Sequence, residues 1–312
     1  MMKRLSILST IVCLAILALS GSAWAQGVVS LPKTGQTISY AAGDDGDLQM
    51  GVAWQDPRFT DIGDGTVKDS LTGLVWSKNA NLPSGALTWQ QALDYVAGMN
   101  AGTNPNFGYT DWRIPNINEL KSLIDNSKYN LALPQGHPFT NVQSYNYYWS
   151  STTYAYHTGY AWTVYMGDGY VGFDYKARNY VYYAWPVRSG QCGSFDNSVI
   201  CLPKTGQTTS YATGDDGDLE MGVTWPDTRF TDKADGTVKD NLTGLVWSKD
   251  ANLPGGYLTR QSALDYVAGM NAGTHENFGY TDWRLPNINE LKSLIDNSTG
   301  CCPNENSDDF LI

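Results

Sequence analysis

One segment occurs twice in the chain, as "YTDWRIPNINELKSLIDNS" at Tyr109–Ser127 and as "YTDWRLPNINELKSLIDNS" at Tyr280–Ser298. In each copy a proline ends the preceding loop, an asparagine follows as N-cap, and a glutamate stands at the reciprocal capping position. Apolar residues then recur at helical spacing, in the first copy at Ile117, Leu120, Leu123 and Ile124. The segment therefore predicts a loop that leads into an amphipathic helix.

The repeat extends well beyond this segment. Leu31 aligns with Leu202 and Arg113 with Arg284 at a constant offset of 171 residues, and about 80 of roughly 97 aligned positions are identical. A period of this length indicates a duplicated domain rather than a solenoid. The first copy continues into an aromatic stretch that the second does not repeat. The sequence predicts a complete domain at 27–190, a linker at 191–201 and a truncated duplicate of the N-terminal half at 202–312.

Local patterns in the first half of each copy predict a hairpin and a helix. Asp64-Gly65 lies between alternating strand-forming residues, as is typical of a tight hairpin. The stretch "LTWQQALDYVAGMN" predicts a helix in which Thr88 is the N-cap and Gln91 completes a capping box. In the second copy Ser262 replaces Gln91, so this helix is expected to begin less firmly.

After Tyr129 the pattern changes from helical spacing to period two. Apolar and aromatic residues alternate on both sides of the Gly-Asp-Gly turn at Gly167–Gly169, which predicts an antiparallel hairpin. A last strand is expected through Tyr183, Trp185 and Val187. The predicted fold class is α+β, with two helices that precede an antiparallel sheet and pack on it.

The first 25 residues predict export. Lys3 and Arg4 precede a short apolar run, and Ala23-Trp24-Ala25 offers small residues where a signal peptidase cleaves. No later segment reaches the ~20 apolar residues that a membrane span needs. The mature protein is therefore expected without a membrane span, in the periplasm, at the cell surface or outside the cell. Such a compartment permits a disulfide between Cys192 and Cys201.

The composition limits the partners of the protein. The chain is 42% hydrophobic and 12% aromatic, which indicates packed structure rather than disorder. Its formal net charge is −11. Because nucleic acids, sulfated polysaccharides and anionic membranes all require basic surface, none of them is an expected partner.

Four blocks of the sequence, taken in order, resemble a known family. The blocks are "GDGTVKDSLTGLVWSK", "DWRIPNINELKSLID", "YYWSSTTY" and "YAWTVYMGDGYVGFDYK…YVYYAWPVRSG". They cover most of Gly63–Gly190 and are similar to the Lcl C-terminal domain family, which is named after a collagen-like bacterial adhesin. Ala234–Ser298 carries only the first two blocks. The resemblance implies a domain of exported bacterial proteins, with a glycosaminoglycan-binding namesake.

The order of elements is also similar to the C-type-lectin-like fold, including the formylglycine-generating sulfatase modifiers. That resemblance implies a C-type-lectin-like arrangement with one complete unit and a truncated second copy. The chain departs from these relatives in its chemistry. It is acidic, it lacks the Glu-Pro-Asn and Trp-Asn-Asp motifs of calcium-dependent lectins, and it has no cysteine pair suited to formylglycine formation.

The aromatic stretch from Tyr145 to Trp185 holds the candidate binding site. Sugar rings stack their apolar faces on aromatic side chains, and carboxylates accept hydrogen bonds from sugar hydroxyls. Tyr165, Asp168, Tyr170 and Asp174 surround the predicted hairpin turn and are the candidate ligand-binding residues. The alternative is cross-strand packing, since strands favour aromatic residues in any case. The tryptophans expected in the core are Trp149, Trp162 and Trp185.

The sequence predicts no cofactor, metal site or catalytic residue. The acidic clusters at Asp44, Asp45 and Asp47 and at Asp61, Asp64 and Asp69 lack the bidentate glutamate of an EF-hand, and Asp-Gly turns explain them. The three histidines stand in none of the common catalytic motifs. Carboxylate pairs cannot be located from sequence, so a glycosidase remains an alternative.

These observations favour an exported, non-enzymatic binding or adhesion module that recognises carbohydrate or a cell-surface protein. Two alternatives stay open: a structural repeat protein of the envelope or of an assembly, and a carbohydrate-active enzyme with a carboxylate pair. The sequence leaves the oligomeric state open.

Overall fold

The computed structural model describes residues 28–177, 180–189 and 199–299. The predicted signal peptide at 1–25, Cys192 and the C-terminal residues from 300 onward lie outside the described residues. Cys201 is disulfide-bonded. In the described part of the chain, no helix is long and apolar enough to cross a membrane.

The first copy contains all the element types that its sequence predicts. In chain order its elements are α1 (Asp45–Leu48), β1 (Phe59–Asp61), β2 (Thr66–Asp69), β3 (Leu74–Ser77), α2 (Trp89–Asn100), α3 (Ile117–Ser122), β4 (Tyr147–Thr153), β5 (Tyr160–Tyr165), β6 (Val171–Tyr175) and β7 (Val187–Ser189). The second copy contributes α4 (Asp216–Leu219), β8 (Phe230–Asp232), β9 (Thr237–Asp240), β10 (Val246–Ser248), α5 (Arg260–Asn271) and α6 (Ile288–Ser293). The protein is therefore α+β, as predicted.

Three small antiparallel sheets form from these strands, in the orders β1-β2-β3-β7, β4-β5-β6 and β10-β9-β8. The hairpins predicted at Asp64-Gly65 and at Gly167–Gly169 are the β1–β2 and β5–β6 connections. The last strand differs from the prediction. It begins at Val187 and pairs with β3 in the first sheet, with Val187 opposite Trp76. Tyr183 instead forms a parallel bridge to Tyr148 of β4, so the predicted strand is divided between two sheets.

The helix starts follow the predicted capping chemistry. The Thr88 hydroxyl accepts the N–H of Gln91 while the Gln91 side chain accepts the N–H of Thr88, so α2 has a complete capping box. Asn116 and Glu119 form the corresponding box at α3. At α5 the hydroxyl of Thr259 accepts the N–H of Ser262 without a reciprocal bond, as expected from the Gln-to-Ser replacement.

Two hydrophobic clusters form the interior of the first copy, one on each face of the β4–β6 sheet. The larger lies among α3, the first sheet and the residues Tyr148 and Val164. The smaller lies between α2 and the opposite face, at Trp149 and Ala161. Trp149 and Trp185 are fully buried, as predicted, whereas Trp162 is only partly buried at the edge of the larger cluster.

In the second copy, the surface of α6 that corresponds to the contact between α3 and the β4–β6 sheet is open to solvent. Residues 199–299 form no counterpart of the β4–β6 sheet. The apolar positions in and just after α6 that correspond to core residues of the first copy are exposed, namely Ile288, Leu291 and Ile295. In the described residues, the second copy thus reproduces the helices and the first hairpin but not the cover of its core.

Each copy begins with a leading segment that packs against the other copy. The segments are 28–52 and 199–223, and we refer to residues 53–189 and 224–299 as the first and second units. The side-chain amide of Asn118 in the first unit donates to the carbonyl of Pro203 at 3.0 Å, and that of Asn289 in the second unit donates to Pro32 at 3.1 Å. The two units are therefore joined by reciprocal, equivalent contacts.

The leading segments also remain attached to their own units. The N–H of Asn126 donates to the carbonyl of Thr34 at 2.9 Å, and the N–H of Asn297 donates to Thr205 at 3.0 Å. Each segment thus bridges both units. This exchange is not visible in the sequence, because it depends on contacts between residues far apart in the chain.

Candidate functional site

The register of the aromatic sheet places the candidate residues on one face. Tyr147 of β4 lies directly opposite Tyr165 of β5, and Asp174 of β6 lies opposite Ala161 on the same face. This face covers the smaller hydrophobic cluster at its centre and is open at its rim. The strand geometry alone therefore brings side chains from three strands together.

Three of the rings on this face are in contact through Tyr147. The ring centroids of Tyr147 and Tyr165 are 5.1 Å apart, and those of Tyr147 and Tyr182 are 5.3 Å apart. Tyr170 is 59% exposed and Tyr165 is half-buried. We call this surface the tyrosine face and define it by six residues: Tyr147, Tyr165, Asp168, Tyr170, Asp174 and Tyr182.

Two glycines let the tyrosine rings lie flat against the sheet. A Cβ on Gly167 would lie 2.3 Å from the ring of Tyr165, and a Cβ on Gly172 would lie 3.1 Å from the ring of Tyr170. The first distance is too short for any other residue type without a shift of the ring. The backbone therefore helps to fix the orientation of both rings.

The carboxylates of the tyrosine face differ in their partners. Asp168 accepts the N–H of Tyr170 within the turn, at 2.9 Å. Asp174 accepts a hydrogen bond from the hydroxyl of Tyr182. Burial and the hydrogen bond to Asp174 raise the pKa of Tyr182. Burial, and to a lesser extent the nearby Tyr170, raises the pKa of Tyr147. Both phenols therefore remain protonated, and able to donate, at neutral pH.

The structure brings all four predicted residues to this one surface. Sequence reasoning missed Tyr147 and Tyr182, which complete it. The period-two pattern of β4 assigned Tyr147 to a strand but not to a face. Tyr182 lies between β6 and β7, and its backbone forms a bridge to Leu87. Its side chain contacts Trp149 and Tyr147 and donates to Asp174, which together hold it beside the sheet.

A second group of aromatic residues lies on the opposite face of the same sheet. The rings of Tyr154 and Phe173 are stacked, with centroids 4.1 Å apart and planes inclined by 8°. Phe173, Tyr156 and Tyr175 are all exposed. His157, also exposed, contacts Tyr156 edge to face rather than a carboxylate. This group has no carboxylate that faces its rings among the described contacts, so it offers stacking without the polar partners of the tyrosine face.

A buried group of charged residues lies where the second leading segment meets the first unit. The Arg113 guanidinium makes two hydrogen bonds to the carboxylate of Glu119, at 2.8 and 2.7 Å, and a third to the carbonyl of Ser189. Asp216 of the second leading segment accepts the hydroxyls of Thr152 and Thr205, at 2.7 and 2.6 Å. Asp111, two residues before Arg113, pairs instead with Arg188.

These carboxylates are structural. Burial raises the pKa of Glu119, against the opposing effect of Arg113, and burial raises the pKa of Asp216 to about 7. The space between them is too small to hold a water molecule. Both carboxylates are therefore enclosed by the protein in this arrangement.

The acidic cluster at Asp44, Asp45 and Asp47 forms a one-turn helix rather than a simple turn. Asp44 is the N-cap of α1 and accepts the backbone N–H groups of Tyr40, Ala41 and Asp47. The backbone hydrogen bond from Tyr40, those from Asp47 and Ala41, and a side-chain hydrogen bond from Arg260 together hold the pKa of Asp44 well below its usual range. Among the described residues, no group of three or more histidine, cysteine or carboxylate side chains is arranged to hold a metal ion.

The comparison with known families agrees with this architecture. The model of the Lcl C-terminal domain matches residues 65–188 and 236–310, together more than half of the chain. The first match contains the strands of the tyrosine face, and the second contains β9, β10, α5 and α6. No curated protein matches the chain.

Proposed function

Because the chain belongs to the Lcl C-terminal domain family, we propose that it is an exported bacterial protein that binds carbohydrate and is not an enzyme. The tyrosine face of the first unit is the proposed contact surface, on a fold of the C-type-lectin-like kind. The observation that carries the proposal is that Tyr165, Tyr170 and Asp174 lie on one face of the β4–β6 sheet, with Tyr170 exposed and the other two half-buried.

The chemistry of the rim favours neutral sugars. Exposed tyrosine rings offer apolar surface for stacking, and their hydroxyls and the nearby carboxylates supply hydrogen bonds that orient a ligand. Asp168 and Asp174 add negative charge to a chain whose formal net charge is already −11. Sulfated or otherwise anionic glycans would be repelled, so adhesion through glycosaminoglycans is not part of the proposal.

A glycan array followed by calorimetric titration tests the proposal on the chain from Gly27 onward. We expect a neutral glycan to bind, and the double variant Tyr165→Ala/Tyr170→Ala to weaken its affinity at least about tenfold, which corresponds to ~1.4 kcal/mol. The matched control is Tyr257→Ala, which removes a fully exposed tyrosine from the second unit. Failure of every neutral glycan to bind, or equal binding by the double variant, would contradict the proposal.

A further inference from the structure

The second unit contains an open groove that the first unit does not. The groove measures about 210 Å³ and lies between the first leading segment and the loop before α6. Its walls include Asp44 and Asp45 from the segment and Arg284, Pro286 and Asn287 from the loop. At the offset of 171 residues, these positions correspond to Asp215, Asp216, Arg113, Pro115 and Asn116.

In the first unit, strand β4 fills the corresponding space. The N–H of Ser151 donates to the carbonyl of Pro115 at 2.9 Å. The hydroxyl of Thr152 accepts the N–H of Ile117 and donates to the carboxylate of Asp216, at 3.0 and 2.7 Å. The groove therefore corresponds to the space that the Ser-Ser-Thr-Thr strand fills in the first unit.

Gln207 of the second leading segment makes two further hydrogen bonds to this strand. Its side chain accepts the N–H of Thr153 at 2.9 Å and donates to the carbonyl of the same residue at 3.1 Å. This is the pairing that one β-strand makes with another, provided here by an amide side chain. Its counterpart Gln36 instead turns back to the carbonyl of Ile38.

The groove retains, from the second unit and the first leading segment, the groups that hold the strand in the first unit. Pro286, Ile288, Asp45 and Gln36 stand at the positions of Pro115, Ile117, Asp216 and Gln207. Asp45 already accepts the hydroxyl of Thr34, as Asp216 accepts that of Thr205. The groove thus has the polar partners of a bound strand in place.

The replacement of Trp89 by Arg260 is consistent with a strand that binds reversibly at this position. In the first unit the indole N–H of Trp89 donates to the carbonyl of Ser150 at 2.8 Å, beneath β4. Arg260 stands at the same position with its side chain 61% exposed and its guanidinium bound to Asp44. It keeps a hydrogen-bond donor beside the groove without an apolar surface that would need permanent cover.

We propose that this groove binds an extended Ser/Thr-rich strand, of the Trp-Ser-Ser-Thr-Thr type, from another polypeptide. Among the described residues such a strand occurs once, at Trp149–Thr153, where it is buried in the first unit. The exposed Ile288 and Leu291 beside the groove would be covered by the residues that accompany the strand, as Ile117 and Leu120 are in the first unit. This interaction is independent of the tyrosine face and of any glycan.

A fluorescein-labelled peptide with the sequence of Asn146–Tyr154, titrated with the chain and followed by fluorescence anisotropy, tests the proposal. We expect saturable binding with one site per chain. A peptide carrying valine at the position of Thr152 should bind about tenfold more weakly, because it cannot donate a hydrogen bond to Asp45.

Variants of the chain locate the site. Gln36→Ala and Ile288→Arg should each reduce peptide affinity severalfold, whereas Gln90→Ala, an exposed glutamine on α2, should leave it unchanged. Absence of saturable binding, or equal binding of the native and valine peptides, would overturn the proposal. So would peptide binding that appears only after removal of residues 300–312, or after dissociation of a dimer by dilution, because the groove would then belong to the chain itself or to a second copy.

Discussion

Leu120 and Leu291 occupy the same position in two nearly identical helices, yet Leu120 is fully buried and Leu291 is 45% exposed. The local sequence around both residues is "NINELKSLIDNS". The difference arises from the β4–β6 sheet, which packs on α3 and has no counterpart on α6 among the described residues. The same local sequence is therefore expected to contribute differently to the free energy of unfolding in the two copies.

The buried carboxylate of Asp216 should make stability depend on pH. Burial raises its pKa to about 7 from an ordinary value of 3.8, and nearby Glu119 and Asp215 act in the same direction. Between these two values the folded state binds more protons than the unfolded state, so the free energy of unfolding falls as pH rises from about 4 to about 7. The Asp216→Asn variant should remove this dependence and gain up to about 4 kcal/mol above pH 7.

Chemical denaturation of the variant at several pH values checks this prediction. Asp45→Asn removes the same charge from the equivalent position of the first leading segment and controls for the change in net charge. A slope for Asp216→Asn that equals the slope of the unmodified chain would show that the carboxylate is not destabilised by burial.

Removal of one partner of the buried Arg113–Glu119 ion pair should lower the free energy of unfolding substantially. Arg113→Ala leaves a buried carboxylate without its partner, and a loss of about 3–5 kcal/mol in the free energy of unfolding is expected. The double variant Arg113→Ala/Glu119→Gln should recover part of this loss, since no charge remains. A double-mutant cycle measures the coupling, and additive losses would argue against the pair.

Tyr182 should stay protonated in the folded protein under alkaline conditions, because burial and its bond to Asp174 raise its pKa. At a pH of about 11, one unit above the ordinary value for tyrosine, Tyr182→Phe should leave the tyrosinate absorbance of the folded chain unchanged. The same variant should lose the signal of one tyrosine after unfolding in denaturant. A lower signal already in the folded state would place Tyr182 among the freely titrating residues.

The sequence predicted those parts of the fold that depend on neighbouring residues. The capping boxes of α2 and α3 and the turns at Asp64-Gly65 and Gly167–Gly169 involve residues at most a few positions apart, so their patterns are visible in the sequence. Three of the four predicted binding residues lie within or next to one hairpin for the same reason. The tyrosine face could therefore be located approximately from its turn.

The parts that sequence reasoning missed depend on distant contacts. Strand β7 pairs with β3 through Trp76 and Val187, and nothing in the alternation of its residues names that partner. The exchange of leading segments rests on bonds such as Asn118 to Pro203, which cross from one repeat to the other. Because both repeats carry the same residues, the sequence cannot show which copy each segment contacts.

One pair of variants tests whether the aromatic sheet closes the core of the first unit and leaves that of the second open. Leu120→Ala and Leu291→Ala are introduced separately into the full chain, and the free energy of unfolding is measured by chemical denaturation. We expect a loss of about 2–5 kcal/mol for Leu120→Ala and of roughly 0.5 kcal/mol or less for Leu291→Ala. Equal losses at the two positions would contradict the account.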